Sequence, residues 1–106
     1  MDLVSKHCRP QTKGTPKLND EQIAALSSEV PEWTARDDRL VRTLKFPDFA
    51  AAMRFVNALA AVAEAEDHHP DFTVRYNRVE VSTWTHTVHG LSENDFILAA
   101  KIDRLI

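Results

Sequence analysis

Along this chain apolar positions recur at two spacings, about 3.6 and about 2 residues, and the switches between them mark out its elements. Asn19-Asp20-Glu21-Gln22 has the form of a capping box, with Asn19 as N-cap and Gln22 at the third helical position, and Leu18 and Ile23 flank it as a hydrophobic staple. A short helix is predicted from there to about Ser28. After Pro31, Glu32 to Arg36 and Arg39 to Phe46 flank the turn-prone Asp37-Asp38, with Leu40, Leu44 and Phe46 on one strand face. That pattern predicts a hairpin. From Asp48 to about Glu66 the chain is rich in alanine, and Phe49, Met53, Val56, Leu59/Ala60 and Ala63 recur on one helical face. Pro70 forbids continuation of that helix, so His68 and His69 are expected to leave it in a bend.

Alternation resumes at Phe72, Val74 and Tyr76 and again at Val79, Val81 and Thr83, with Asn77-Arg78 as the tight turn of a second hairpin. Ser92 followed by Asp95, with Leu91 facing Phe96, opens a last helix whose apolar stripe is Leu98, Ala99, Ile102, Leu105 and Ile106. The order α-β-β-α-β-β-α points to an α+β fold, a four-stranded antiparallel sheet with helices packed on one face. Residues 1–17, with Pro10, Gly14 and Pro16 among scattered polar groups and no periodicity, read as a mobile N-terminal leader, and 18–106 as a single domain.

Composition narrows the function class. A chain of 106 residues fits one compact domain. Its 13 Lys and Arg against 16 Asp and Glu give a formal charge of −3 with no long basic run, which argues against direct nucleic-acid binding. The lone Cys8 excludes an intramolecular disulfide and a cysteine-based zinc site. No apolar run approaches the ~20 residues that span a bilayer, and Met1-Asp2-Leu3-Val4 lacks the features of a signal peptide, so no membrane association and a cytoplasmic location are expected.

The densest chemistry lies in Glu64-Ala65-Glu66-Asp67-His68-His69-Pro70-Asp71-Phe72, where adjacent imidazoles and several carboxylates stand at a helix end. Imidazole exchanges a proton near neutral pH, its ordinary pKa being roughly 6.5, so general acid–base chemistry is the first hypothesis. Taken in order, Asp67-His68-His69-Pro70, Tyr76-Asn77, Thr85-His86 and Gly90-Leu91-Ser92 with Asp95 resemble the pterin-4a-carbinolamine dehydratases. The resemblance covers about residues 18–104. It implies dehydration of a 4a-hydroxytetrahydropterin (a carbinolamine) to quinonoid dihydropterin, recycling tetrahydrobiopterin for aromatic amino-acid hydroxylases. It also implies the same α+β fold and a homodimer or homotetramer.

On that resemblance His68 and His86 are expected to transfer protons, and His69 to bind and orient the substrate. Loss of water needs one proton delivered to the departing hydroxyl and one removed from a ring nitrogen, which imidazoles perform with neither a metal nor a redox cofactor. Asp67 and Glu64, one helical turn apart, are expected to face the pterin, with Thr85 at the ring edge and Trp33 covering its face. Each residue has a plainer reading. The histidines fit a solvated helix C-terminus, where the dipole favours a protonated ring, the carboxylates fit solvent, and Trp33 fits a core. Joint spacing, not any one residue, carries the functional reading. Asp95 is explained by helix capping and is left outside the site, while His7 and His89 are expected to be solvated.

Two other classes compete. Some members of the family also serve as dimerisation cofactors of a homeodomain transcription factor, so a binding module is the alternative to an enzyme. A zinc site built from His68, His69 and His86 is disfavoured, because adjacent side chains in extended chain diverge and no cysteine assists.

Overall fold

The computed structural model describes residues 2–106, so Met1, the first residue of the expected leader, lies outside the described residues. Helix α1 (Asp20–Ser27) begins on the anticipated capping box, in which Asn19 Oδ1 accepts from the Gln22 N–H and Gln22 Oε1 accepts from the Asn19 N–H, each at 2.9 Å. Strands β1 (Thr34–Arg36) and β2 (Arg39–Lys45) turn through Asp37 and Asp38, at φ 51° and 59°, a left-handed conformation that short Asp side chains tolerate. Helix α2 (Phe49–Glu66) starts at Asp48, whose carboxylate accepts from the Ala51 N–H at 2.8 Å. Strands β3 (Asp71–Arg75) and β4 (Arg78–Thr83) and helix α3 (Glu93–Asp103) complete the expected order.

All strand pairs are antiparallel, in the order β1-β2-β4-β3. Leu40 pairs with Thr83 and Leu44 with Val79, so the period of two puts these residues and Val81 on one face, buried under the helices. Thr43, Lys45 and Glu80 lie on the opposite, exposed face. Among the described residues no helix is long and apolar enough to cross a membrane.

Four local expectations are corrected. The second hairpin turns at Tyr76-Asn77, one residue earlier than Asn77-Arg78, because Arg78 is still paired with Arg75. Tyr76 takes the positive φ, 52°, while Asn77 is tied to the end of β2: it accepts from the Phe46 N–H at 2.8 Å and its Nδ2 donates to Phe46 O at 3.0 Å. In α2 the buried stripe is Ala52, Phe55, Val56, Leu59 and Ala63, and Phe49 is half exposed. The expected and observed stripes share Val56, Leu59 and Ala63, and the face is rotated away from Phe49 and Met53. Phe55 fixes this rotation by packing on Phe46 with ring centroids 5.2 Å apart.

Helix α3 stops at Asp103 and leaves Leu105 and Ile106 exposed. It is buried from Asn94 to Ala100 because α1, α2 and the N-terminal segment all pack on it. The leader, finally, is docked rather than loose over residues 3–11. Leu3 is in the core, Lys101 Nζ donates to Val4 O at 2.9 Å, and the Cys8 N–H donates to Glu66 Oε1 at 2.7 Å. Its backbone groups find partners 97 and 58 residues downstream, which no local pattern could display.

Candidate active site

Helix α2 ends in a Schellman-type turn. Asp67 adopts the left-handed conformation (φ 49°, ψ 43°), its N–H donates to Glu64 O at 3.3 Å, and the His68 N–H donates to Ala63 O at 3.2 Å. The helix therefore stops before Pro70 acts on it, and this turn aims His68 toward the first turn of α3.

There Asp95, fully buried, accepts from four donors. His68 Nε2 lies 2.7 Å from Oδ1, and the Thr83 hydroxyl donates to the same oxygen at 2.6 Å. The Thr85 hydroxyl donates to Oδ2 at 2.8 Å, and the Ser92 N–H to Oδ2 at 3.0 Å. Because Thr85 spends its single hydroxyl proton on Asp95, its 2.7 Å contact with Ser92 Oγ runs from Ser92 to Thr85. Ser92 Oγ accepts in turn from the Asn94 N–H at 3.2 Å. Asp95 is the acceptor in its bonds from Thr83, Thr85 and Ser92, and the same role toward His68 assigns a proton to Nε2.

Around this network is a cleft of about 550 Å³, whose lining includes Asp67, His68, His69, Trp84, Thr85 and His86. Beyond β4 the chain passes through Trp84 and Thr85 into a short 3-10 turn (His86–Val88), and the His86 ring stacks on Trp84 with centroids 3.9 Å apart and planes 24° off parallel. The Arg39 guanidinium carbon lies 4.7 Å from the Trp84 ring centroid. His69 is half exposed, with Nε2 3.6 Å from Glu64 Oε1.

Of the residues singled out in the sequence, His68, His69, His86, Asp67 and Thr85 come together at this cleft, and Trp33 does not. Trp33 is buried in the core, where its Nε1–H donates to Asp103 Oδ1 at 2.8 Å beside Arg42, which bonds the same oxygen at 2.6 Å. The aromatic wall is Trp84. Glu64 is mostly exposed and lies outside the lining, with its carboxylate facing His69. Thr85 lines the cleft, with its hydroxyl proton given to Asp95 and its N–H to Gly90 O. His89 is exposed, as expected. His7 is exposed too, but its Nδ1 lies 3.0 Å from Glu66 Oε2, so it is not simply solvated.

Asp95 is the residue that sequence reasoning left out. Its capping role is real, but a carboxylate has two oxygens. Oδ2 serves the cap and Oδ1 serves His68. Helix capping accounted for one and said nothing of the other.

The N-terminal segment supplies part of the cleft through Cys8, Arg9, Pro10 and Gln11. Burial pushes the Cys8 thiol up to about 12, with the neighbouring Glu66 carboxylate adding to the effect. Burial alone would raise Glu66 as well, but the Cys8 N–H bond, the His7 ring and Lys101 hold it below the ordinary carboxylate value. Among the described residues no three His, Cys, Asp or Glu side chains are grouped so as to hold a metal ion.

The profile of the family described as "Pterin 4 alpha carbinolamine dehydratase" matches residues 16–105. This chain belongs to that family. It is 49% identical over 97% of its length to a Xanthomonas oryzae pv. oryzae protein named "Putative pterin-4-alpha-carbinolamine dehydratase", and the match covers 89% of that protein. A Nitrosomonas eutropha relative of the same name is 44% identical over 99% of this chain and 94% of its own. Among solved structures, one described as a transcriptional coactivator/pterin dehydratase from Brucella melitensis superposes with a TM-score of 0.80. It is 32% identical, over 84% of this chain and 97% of that one. Another, described as a pterin dehydratase-like RuBisCO assembly factor of the alpha-carboxysome, has a TM-score of 0.62 and 25% identity, over 70% of this chain and 88% of that one.

Proposed function

We propose that this dehydratase-family chain converts 4a-hydroxytetrahydropterins to quinonoid dihydropterins, with His68 and His86 transferring protons and His69 holding the substrate. The observation that carries the reading is the bond from His68 Nε2 to the buried, four-donor Asp95 at the edge of an open cleft. A solvated helix-end histidine has no need of such a partner. One imidazole gives a proton to the C4a hydroxyl as the C–O bond breaks. Another takes the proton from the ring nitrogen as the C=N bond forms, so water leaves and no electrons are exchanged with the protein. Trp84, with His86 stacked on its ring and the Arg39 guanidinium over it, walls the cleft beside the flat ring, and Asp67 offers an acceptor to the amino edge. Supply of the carbinolamine by an aromatic amino-acid hydroxylase fits this chemistry, because such an oxygenation leaves a hydroxyl at C4a.

The alternative, a dimerisation module for a transcription factor, draws on the description of the Brucella neighbour as a coactivator. The cleft favours dehydration, since a docking face does not require a histidine held by a buried carboxylate. The test is to generate the carbinolamine beside purified protein and follow the quinonoid product by ultraviolet absorbance, with and without a chelator. Acceleration insensitive to chelation is expected, falling ~10²-fold or more in His68→Ala. A protein that does not accelerate the reaction, or whose activity is lost to chelator and restored by zinc, overturns the proposal.

A further inference from the structure

The wall of the cleft formed by the N-terminal segment lies outside the stretch matched by the family profile, which begins at residue 16. It is nevertheless built onto the same turn that carries Asp95. Asn94, buried and next to Asp95, clamps the Arg9 backbone at both ends: its Oδ1 accepts from the Arg9 N–H at 2.9 Å and its Nδ2 donates to Arg9 O at 2.6 Å. Gln11 Nε2 donates to the same carbonyl at 3.2 Å. Pro10 adds a covalent restraint, confining Arg9 to extended backbone. Three hydrogen bonds and a proline thus fix one residue whose own side chain is exposed.

That side chain is a cation without a counter-ion. Among the described residues the Arg9 guanidinium has neither a hydrogen bond nor an ion pair, and Arg9 is one of the residues between this cleft and a second cavity beside Lys6, His7 and Glu93. Of the three acids in the lining, Asp67 forms no ion pair with Arg9, and the other two are occupied. Glu66 accepts from the Cys8 N–H and faces His7 at 3.0 Å and Lys101 at 3.5 Å, and Asp71 faces Arg39 at 3.4 Å. A fixed backbone under an unpartnered fork of five N–H donors suits a ligand that brings acceptor oxygens of its own.

Resting on the dehydratase reading, we propose that the docked segment is a specificity wall and that Arg9 binds the oxygens of a hydroxylated substituent on the pterin ring. Substrates lacking those oxygens leave the guanidinium in water and gain nothing from it. The preference belongs to binding and not to the proton transfers.

The test compares two carbinolamines differing only at C6, one with a dihydroxyalkyl chain and one with a methyl group. In Arg9→Ala the KM for the hydroxylated substrate is expected to rise about tenfold, with less than about a twofold change for the methyl analogue. The effect should fall on KM and not on kcat. Arg9→Lys should restore part of the preference, while Lys13→Ala, which removes an exposed cation from the same segment, should leave both substrates unaffected. Calorimetric titration of the corresponding non-reactive dihydropterins reads the same preference without turnover, so it stands even if the wild-type protein fails to dehydrate either substrate. An unchanged or uniformly reduced affinity for the two ligands in Arg9→Ala overturns the inference.

Discussion

His68 Nε2 and Asp95 Oδ1 are 27 residues apart in the chain and 2.7 Å apart in space. The gap is bridged by β4, whose last residue, Thr83, faces the core and donates to the same oxygen. The end of one helix and the start of another are thereby fixed to one strand end. A change at Asp95 disturbs all three elements at once.

Asp95→Asn should lower both stability and turnover. An amide offers one acceptor and one donor where the carboxylate offers two acceptors, so donors among His68, Thr83, Thr85 and Ser92 lose their partner. Urea titration should show a loss of about 1–3 kcal/mol. Because Asp95 acts through His68, the pH–rate profile should also change shape. A destabilised variant with an unaltered profile would confine Asp95 to a structural role.

The histidines should separate by kinetic constant. His68→Ala and His86→Ala are expected to reduce kcat ~10²-fold or more, while the half-exposed His69→Ala raises KM more than it slows turnover. His89→Ala, exposed and outside the cleft lining, should be nearly silent. Normal activity in His86→Ala would remove the 3-10 turn from the proposed mechanism.

Tryptophan fluorescence should report the cleft through Trp84 alone. Titration with a non-reactive dihydropterin, corrected for ligand absorption, should give a saturable change that persists in Trp33→Phe and disappears in Trp84→Phe. Trp33→Phe should instead cost about 1 kcal/mol of stability, since it removes the bond to Asp103. Loss of the signal in Trp33→Phe would contradict the placement of Trp33 in the core.

Docking of the N-terminal segment should weaken in acid. Glu66 is held below its ordinary value of 4.5, so its contribution is fully present above pH 4.5 and is lost as pH falls through the lower folded value. The Cys8 thiol reports on the same contact near neutrality. With its pKa raised from 9.0 to about 12, it carries about a thousandfold less thiolate than an ordinary cysteine and should alkylate slowly. Glu66→Gln, which weakens the Cys8 N–H bond and removes a negative neighbour, should speed alkylation. Equal rates in the two proteins would mean that Glu66 does not hold the segment.

Sequence alone determined whatever is set by neighbours a few residues apart. The capping boxes at Asn19 and Ser92, the Asp37-Asp38 turn and the alternation through Val79, Val81 and Thr83 depend on local backbone geometry, and the α+β order followed from them. The ordered histidine motifs identified the family, because their spacing is written along the chain. Tertiary structure decided what depends on partners distant in sequence. Periodicity pointed to a face of α2 carrying Phe49 and Met53 until Phe46 met Phe55, and the aromatic wall was expected at Trp33 until Asp103 and Arg42 claimed that ring. Asp95 looked like a cap because only one of its oxygens has a local partner, and residues 3–11 looked loose because their partners lie on α2 and α3. A hydrogen bond is worth its energy at any sequence separation, but only a local one leaves a pattern that can be read before the chain folds.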